Sequence, residues 1–239
     1  MDTFHYYNIF ETKGIEYLIT IVFFLSLIPF WIMLNNREKI AKGIKHALGV
    51  LSMKKLRIPQ GIFYSPGHTW TYLRRNGTAR IGVDDLLLSI TGPFLIKPLI
   101  EEGVQVKKGD VVARIIQDDK DMAVKSPVSG VLKSRNIPVF EHPADLMEDP
   151  YGKGWMFEIR PSAWKEETSG YYLAEEAVTW TQGELLRFKD FLAGSLQRHN
   201  ETSSLIALQD GGELREHLLA DLPKEVWFDF EHEFLASKN

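Results

Sequence analysis

Between Pro59 and Ser162 the chain rarely runs far without a turn signal, and this punctuation limits the fold more than any other feature of the sequence. Short β-type runs alternate with Gly, Pro and Asn corners: Trp70–Leu73, Ala79–Val83, Val111–Ile116, Met122–Val124 and Trp155–Ile159. Asn76-Gly77 lies between two of them and predicts a type I′ hairpin, which needs positive φ at both central positions. Arg114 to Pro127 reads as two apolar runs around a polar tip, Asp118-Asp119-Lys120-Asp121. Lys107-Lys108-Gly109-Asp110 and Ser126-Pro127-Val128-Ser129-Gly130 mark further corners. Many short strands with regular turns predict a mainly β module, a small sandwich or barrel. Asp84–Ser89 is expected to be a short helix.

The two ends read differently. Tyr17 to Leu34 is apolar and uncharged, about the length that crosses a bilayer. It predicts one transmembrane helix over 17–34, after an N-terminal segment 1–16. Arg37, Lys39, Lys42, Lys45, Lys54, Lys55 and Arg57 follow it and only Lys13 precedes it. The positive-inside rule then predicts a single-pass protein of the inner (cytoplasmic) membrane, N-terminus outside and module in the cytoplasm. Residues 35–58 read as a basic juxtamembrane linker, with helical apolar spacing at Ile40, Ile44, Leu48 and Leu51. After the β module at 59–162 comes an acidic extension, 163–239. It reads as helices over Thr181–Arg198, Glu213–Leu219 and Lys224–Leu235. Val226, Trp227, Phe230 and Phe234 form a large apolar face, which either packs back on the module or docks a protein partner.

Composition removes several chemistries. The chain has 239 residues, a net charge of −4 and no cysteine. Disulfides, zinc–thiolate sites, iron–sulfur ligation and cysteine nucleophiles are excluded. No basic stripe interleaved with aromatics suggests nucleic acid. The histidines lack metal-ligand spacing, and no phosphate-cradling loop or nucleophile elbow is present. The sequence therefore predicts no metal, no nucleic acid and no catalytic residue of its own.

Several motifs, in order, resemble the glycine cleavage H-protein family of the lipoyl-domain superfamily. They are Tyr64-Ser-Pro-Gly-His68-Thr-Trp70, Gly77-Thr78 through Asp84-Asp85, Glu102-Gly103, Lys108-Gly109-Asp110 and Ser126–Gly130. Asn136, Pro143 and Glu148-Asp-Pro-Tyr151-Gly-Lys-Gly-Trp155 complete the set. The resemblance covers about 60–162. It implies a lipoyl-like (H-protein-like) β sandwich or barrelled hammerhead, here preceded by one transmembrane helix and followed by a helical extension. It also implies a lipoyl lysine at a hairpin apex. Counted without gaps, that position is Asp119, which cannot form the amide. Lys120 is one residue later, and Ile116-Gln-Asp-Asp-Lys120 resembles the lipoyl tip of 2-oxoacid dehydrogenases. A bulge or a moved turn would absorb the shift. Lys120 is thus either a lipoate attachment point or a solvated turn residue, whereas Lys125 falls on the return strand. His68 is expected to pack or cap, Trp70 and Trp155 to fill the core, and Tyr151 to anchor a turn.

Two functions follow. Asp119, the anchor and the acidic aromatic tail favour a membrane-anchored H-like subunit, a non-catalytic scaffold in a membrane-associated redox or respiratory complex. The alternative is a carrier with lipoate on Lys120, moving electrons or a one-carbon (aminomethyl) group between cytoplasmic enzymes. Protein partners would meet the lipoyl-like domain and the C-terminal helices.

Overall fold

The computed structural model describes residues 9–35, 51–199 and 214–236. Most of the expected basic linker, and the first residue of the helix expected over Glu213–Leu219, lie outside the described residues. The chain divides into two compact units, Met1–Gly49 and Val50–Asn239.

In the first unit, helix α1 spans Ile9–Asn35 and contains Pro29. Among the described residues no helix is long and apolar enough to cross a membrane. Glu11, Lys13 and Glu16 occupy the first turns of α1. The absence of such a helix among the described residues corrects the transmembrane helix expected over 17–34. It removes with it the membrane partner and the single-pass, N-terminus-out topology read from it.

Among the described residues the second unit has nine strands in two antiparallel sheets. The strands are β1 Phe63–Tyr64, β2 Thr69–Leu73, β3 Ala79–Val83, β4 Leu95–Pro98, β5 Gln105–Val106, β6 Val111–Gln117, β7 Lys120–Lys125, β8 Gly130–Arg135 and β9 Phe157–Pro161. The larger sheet has the order β1-β2-β3-β9-β8-β5 and the smaller β4-β6-β7, so neither closes into a barrel. The helices are α2 Asp85–Thr91, α3 Ile137–Glu141, α4 Ala144–Glu148, α5 Trp164–Thr168, α6 Ala174–Arg198 and α7 Lys224–Asp229. A 3-10 turn covers Leu218–Asp221, and a π turn over Phe230–Phe234 follows α7. Helical residues outnumber strand residues. The fold is mixed α/β, a correction to the mainly β, barrelled expectation.

Local chemistry explains the elements. Asp84 is the N-cap of α2, and its Oδ1 accepts the Leu87 N–H at 2.8 Å. The hairpin at Asn76-Gly77 forms with a different turn from the one expected. Of the two central residues only Gly77 has positive φ. The Gly77 N–H donates to the Arg74 carbonyl at 3.0 Å and the Arg74 N–H to the Thr78 carbonyl at 2.7 Å. That is a turn followed by a left-handed glycine, the next commonest hairpin after the two-residue loops.

One core unites both sheets and the C-terminal extension. Ile81, Leu132 and Ile159 of the larger sheet share a buried cluster with Ile96, Ile115 and Met122 of the smaller. Phe188, Leu192, Leu219, Trp227 and Phe230 belong to the same cluster. The aromatic face of the last helix is therefore buried on the chain's own module and is not displayed to a partner. Phe228 is the exception, at 62% exposed. Helix α6 begins well before the expected Thr181, because Ala177 is buried and Trp180 stacks on Tyr172 at 4.8 Å. Neither contact has a signature in the local sequence.

Trp70 is almost fully buried opposite Gly82 in the β2–β3 register. A Cβ at Gly82 would lie 2.7 Å from the indole. Gly82→Ala is expected to lower unfolding free energy by about 1–3 kcal/mol through overpacking. Urea denaturation reads this directly; an unchanged midpoint would show that the indole has room to move.

Candidate functional site: the Lys120 hairpin

Strands β6 and β7 pair from Val111↔Lys125 to Gln117↔Lys120, leaving Asp118 and Asp119 as the turn. Asp118 takes φ 54°, a conformation that Asp tolerates better than most residues. Both turn aspartates are exposed. The register shifts between Val111 and Ala113. A bulge at the base of the hairpin thus takes up an extra residue of the first strand. The gap-free family position, Asp119, is at the tip, and Lys120 is the first residue of the returning strand.

That single step decides the lysine's surroundings, because alternate strand residues face opposite sides. Lys120 shares the buried face with Met122 and Val124, whereas Asp121 and Lys125 face solvent. Lys120 is 8% exposed. Its ammonium donates to the Ala220 carbonyl at 2.7 Å and the Leu222 carbonyl at 3.2 Å. It also lies over the Trp227 ring, 5.3 Å from the centroid, a cation–π arrangement. The Trp227 indole N–H is fixed in turn on the Leu219 carbonyl at 2.7 Å. Lys120 is therefore not the solvated turn residue that was one of the two expectations. Nor does an attached lipoyl arm fit this arrangement. An amide nitrogen keeps one N–H and no charge, and Ala220, Leu222 and Trp227 enclose the position.

The remaining candidates are structural. His68 is fully buried at φ 57°. Its Nδ1 lies 2.9 Å from Asp84 Oδ2, and Nε2 is 3.4 Å from Glu184 Oε2 on α6, an ion-pair contact too long for a good hydrogen bond. Phe234 stacks on the imidazole at 5.4 Å and Trp180 lies tilted at 5.1 Å. Burial by itself would lower the His68 pKa. The Asp84 charge and hydrogen bond, then Glu184, outweigh it and raise the value to about 9. Trp155 is partly buried beside the Trp70 cluster, and Arg80 lies over its ring. Tyr151 accepts the Asp85 N–H through its hydroxyl at 3.1 Å, anchoring the start of α2. Asp149 accepts the N–H groups of Gly152 and Lys153 at 2.9 and 3.0 Å, which shapes the DPYGKGW turn. Gly130 closes the SPVSG corner where a Cβ would clash with the Arg160 carbonyl. Among the described residues no cluster of three or more His, Asp or Glu side chains is placed to hold a metal ion. Sequence reasoning missed the partners of Lys120, which lie 100 residues further along.

The glycine cleavage H-protein family model matches residues 62–183. A probable glycine cleavage system H protein of Pyrococcus abyssi is 28% identical over 127 residues, covering 53% of this chain and 94% of the relative. The glycine cleavage system H protein of Thermus thermophilus is 31% identical over 104 residues, covering 44% and 80%. A solved glycine cleavage system H protein from Mycobacterium marinum is 23% identical, with a TM-score of 0.46 over 53% of this chain and 99% of that one. The family match spans half of the chain, and the chain belongs to the glycine cleavage H-protein family. It reaches beyond the expected Ser162 into α6. Members of this family are non-catalytic carriers, and this chain is not an enzyme. These matches support neither a membrane-anchored variant nor a scaffold subunit of a membrane complex; they favour the carrier alternative.

Two measurements probe the site. Lys120→Met leaves the Ala220 and Leu222 carbonyls without their donor and is expected to cost about 1–3 kcal/mol of stability. Lys125→Met, on the exposed face, should stay within about 0.5 kcal/mol. Equal melting temperatures for the two variants would refute the buried contact. His68 has a folded pKa of about 9, against roughly 6.5 unfolded. A raised pKa means that its stabilisation is complete below about pH 6.5 and is lost as pH rises through 9. The urea midpoint should fall across that window, and His68→Gln should flatten the fall.

Proposed function

We propose that this member of the glycine cleavage H-protein family is a carrier whose attachment residue is Lys120. It would receive a lipoyl arm when residues 214–235 are displaced from the hairpin. The observation that supports this reading is the position of Lys120 within the family match. It is the first residue after the turn of the hairpin where the family bears its lysine, and the bulge at Val111–Ala113 supplies the one-residue adjustment. A lipoyl group would supply a dithiol that a chain without cysteine lacks. The protein's own contribution is presentation, since a rigid hairpin offers the amine at low entropic cost. The group carried would be electrons or a one-carbon unit, exchanged with partner enzymes at the lipoyl-like domain.

A second reading rests on the burial of Lys120. The lysine would then be a permanent internal post, and the protein an H-type module without the modification.

Intact mass separates the two. The full chain, produced in a host whose other lipoyl proteins are fully modified, should gain the mass of one lipoyl group. Lys120→Arg should remove that gain. If the full chain and a Trp227→Ala variant that loosens residues 214–235 both stay unmodified under those conditions, the carrier reading falls and the internal post remains.

A further inference from the structure

Residues Leu214–Leu235 meet the rest of the second unit at several separated points. The Leu51 N–H donates to the Leu214 carbonyl at 2.8 Å, and the His217 N–H to the Ser89 carbonyl on α2 at 2.7 Å. The smaller sheet has the order β4-β6-β7, so β7 is an edge strand. An unpaired edge is ordinarily covered or blunted. Here Glu231 Oε1 accepts the Ala123 N–H of that edge at 3.2 Å. Between these points Ala220, Leu222 and Trp227 enclose the Lys120 amine. Trp227, Phe230 and Phe234 are almost fully buried in the process.

The contacts of the amine set a chemical condition. To attack an acyl carbon, Lys120 must be deprotonated and have its nitrogen lone pair free. In this arrangement the nitrogen is a donor to two carbonyls beneath an indole ring. Acylation and closure are therefore mutually exclusive. The segment begins after the end of the family match at residue 183 and is joined to it through α6. The mask is thus formed by chain beyond the carrier domain itself.

We propose that Leu214–Leu235 is an autoinhibitory strap. It withholds the Lys120 amine from acyl donors and opens as a unit, separately from the hairpin beneath it. Its regulatory meaning rests on the carrier reading, whereas the masking itself does not. By reciprocity, an acyl group on Lys120 disfavours closure as much as closure disfavours acylation.

The test uses the full chain and the N-hydroxysuccinimide ester of acetic acid, followed lysine by lysine by mass spectrometry. Each reaction forms one amide C–N bond, expels N-hydroxysuccinimide and releases the amine proton to buffer. Lys97 and Lys125 are exposed on the same sheet and serve as internal standards. Lys120 should label at least about tenfold more slowly than either, since a strap open a tenth of the time or less scales the rate by that fraction. Trp227→Ala should bring Lys120 close to the standards without changing them. Labelling of wild-type Lys120 at the rate of Lys125 would overturn the mask.

Amide hydrogen exchange guards against a variant that merely unfolds. In the wild type, the amides of Trp227–Phe234 should exchange faster than those of Ile115 and Met122, as a sub-global opening requires. Exchange of both sets only through global unfolding would overturn the strap as a separate device. Acetylation involves no lipoate. A Trp227→Ala chain that stays unlipoylated in a competent host would therefore sink the carrier reading and leave the mask standing. Fast labelling of Lys120 would do the reverse.

Discussion

The position of the C-terminal segment turns on one buried ammonium. An ammonium removed from water is costly unless donors and acceptors are matched around it. Lys120 meets that requirement with chain from 100 residues away. Its acceptors are not arbitrary. Ala220 is in the 3-10 turn Leu218–Asp221, and Leu222 is the residue that ends it. Carbonyls at the end of a helical turn have no intrahelical donor. The lysine therefore satisfies two orphan acceptors that burial would otherwise penalise, and they in turn satisfy it. The Trp227 indole closes the site from the third side.

The same segment is tied to α6 by a second set of contacts of a different kind. Ser195 donates to Asp229 at 2.7 Å, and the Arg187 guanidinium donates to the Phe234 carbonyl at 3.0 Å while stacking on the Phe234 ring. Phe234 also lies flat on His68. His68 is thus where the family domain, α6 and the last turn of the chain converge, and its two acidic neighbours come from two different elements. Asp84 is used twice: one oxygen caps α2 and the other holds the imidazole. A histidine within hydrogen-bond range of one carboxylate and near another has the outline of a catalytic group. With no exposed surface, it joins elements and performs no chemistry.

What could be read from the sequence was whatever depends on near neighbours. The β3 boundaries, the short helix after Asp84 and the start of the last helix at Lys224 follow from caps, turn residues and periodicity within a few positions. The type of the Asn76-Gly77 turn was misread, because only Gly77 needs the left-handed region once the loop is longer. The start of α6 was missed, because Ala177 and Trp180 are recruited by tertiary contacts against weak local signals. For the aromatic helix, periodicity identified an apolar face but contained no information on which surface would cover it. The apolar run before Leu34 illustrates the converse. Composition alone suggested a spanning segment, and among the described residues no helix meets that requirement.

Lys120 shows how one residue of register carries both position and environment. In a strand, moving a side chain by one place along the chain also moves it to the other face. Asp119, at the turn, escapes that parity and faces water. Lys120, the first paired residue, cannot escape it and faces the core with Met122 and Val124. A lysine at the apex would have needed no partner and could have carried an arm without disturbing anything. One place later, the same lysine requires acceptors, and the C-terminal segment supplies them. The segment after the family match and the placement of Lys120 on the returning strand are thus two parts of a single arrangement. The placement creates a buried cation, and the segment is what makes that burial stable.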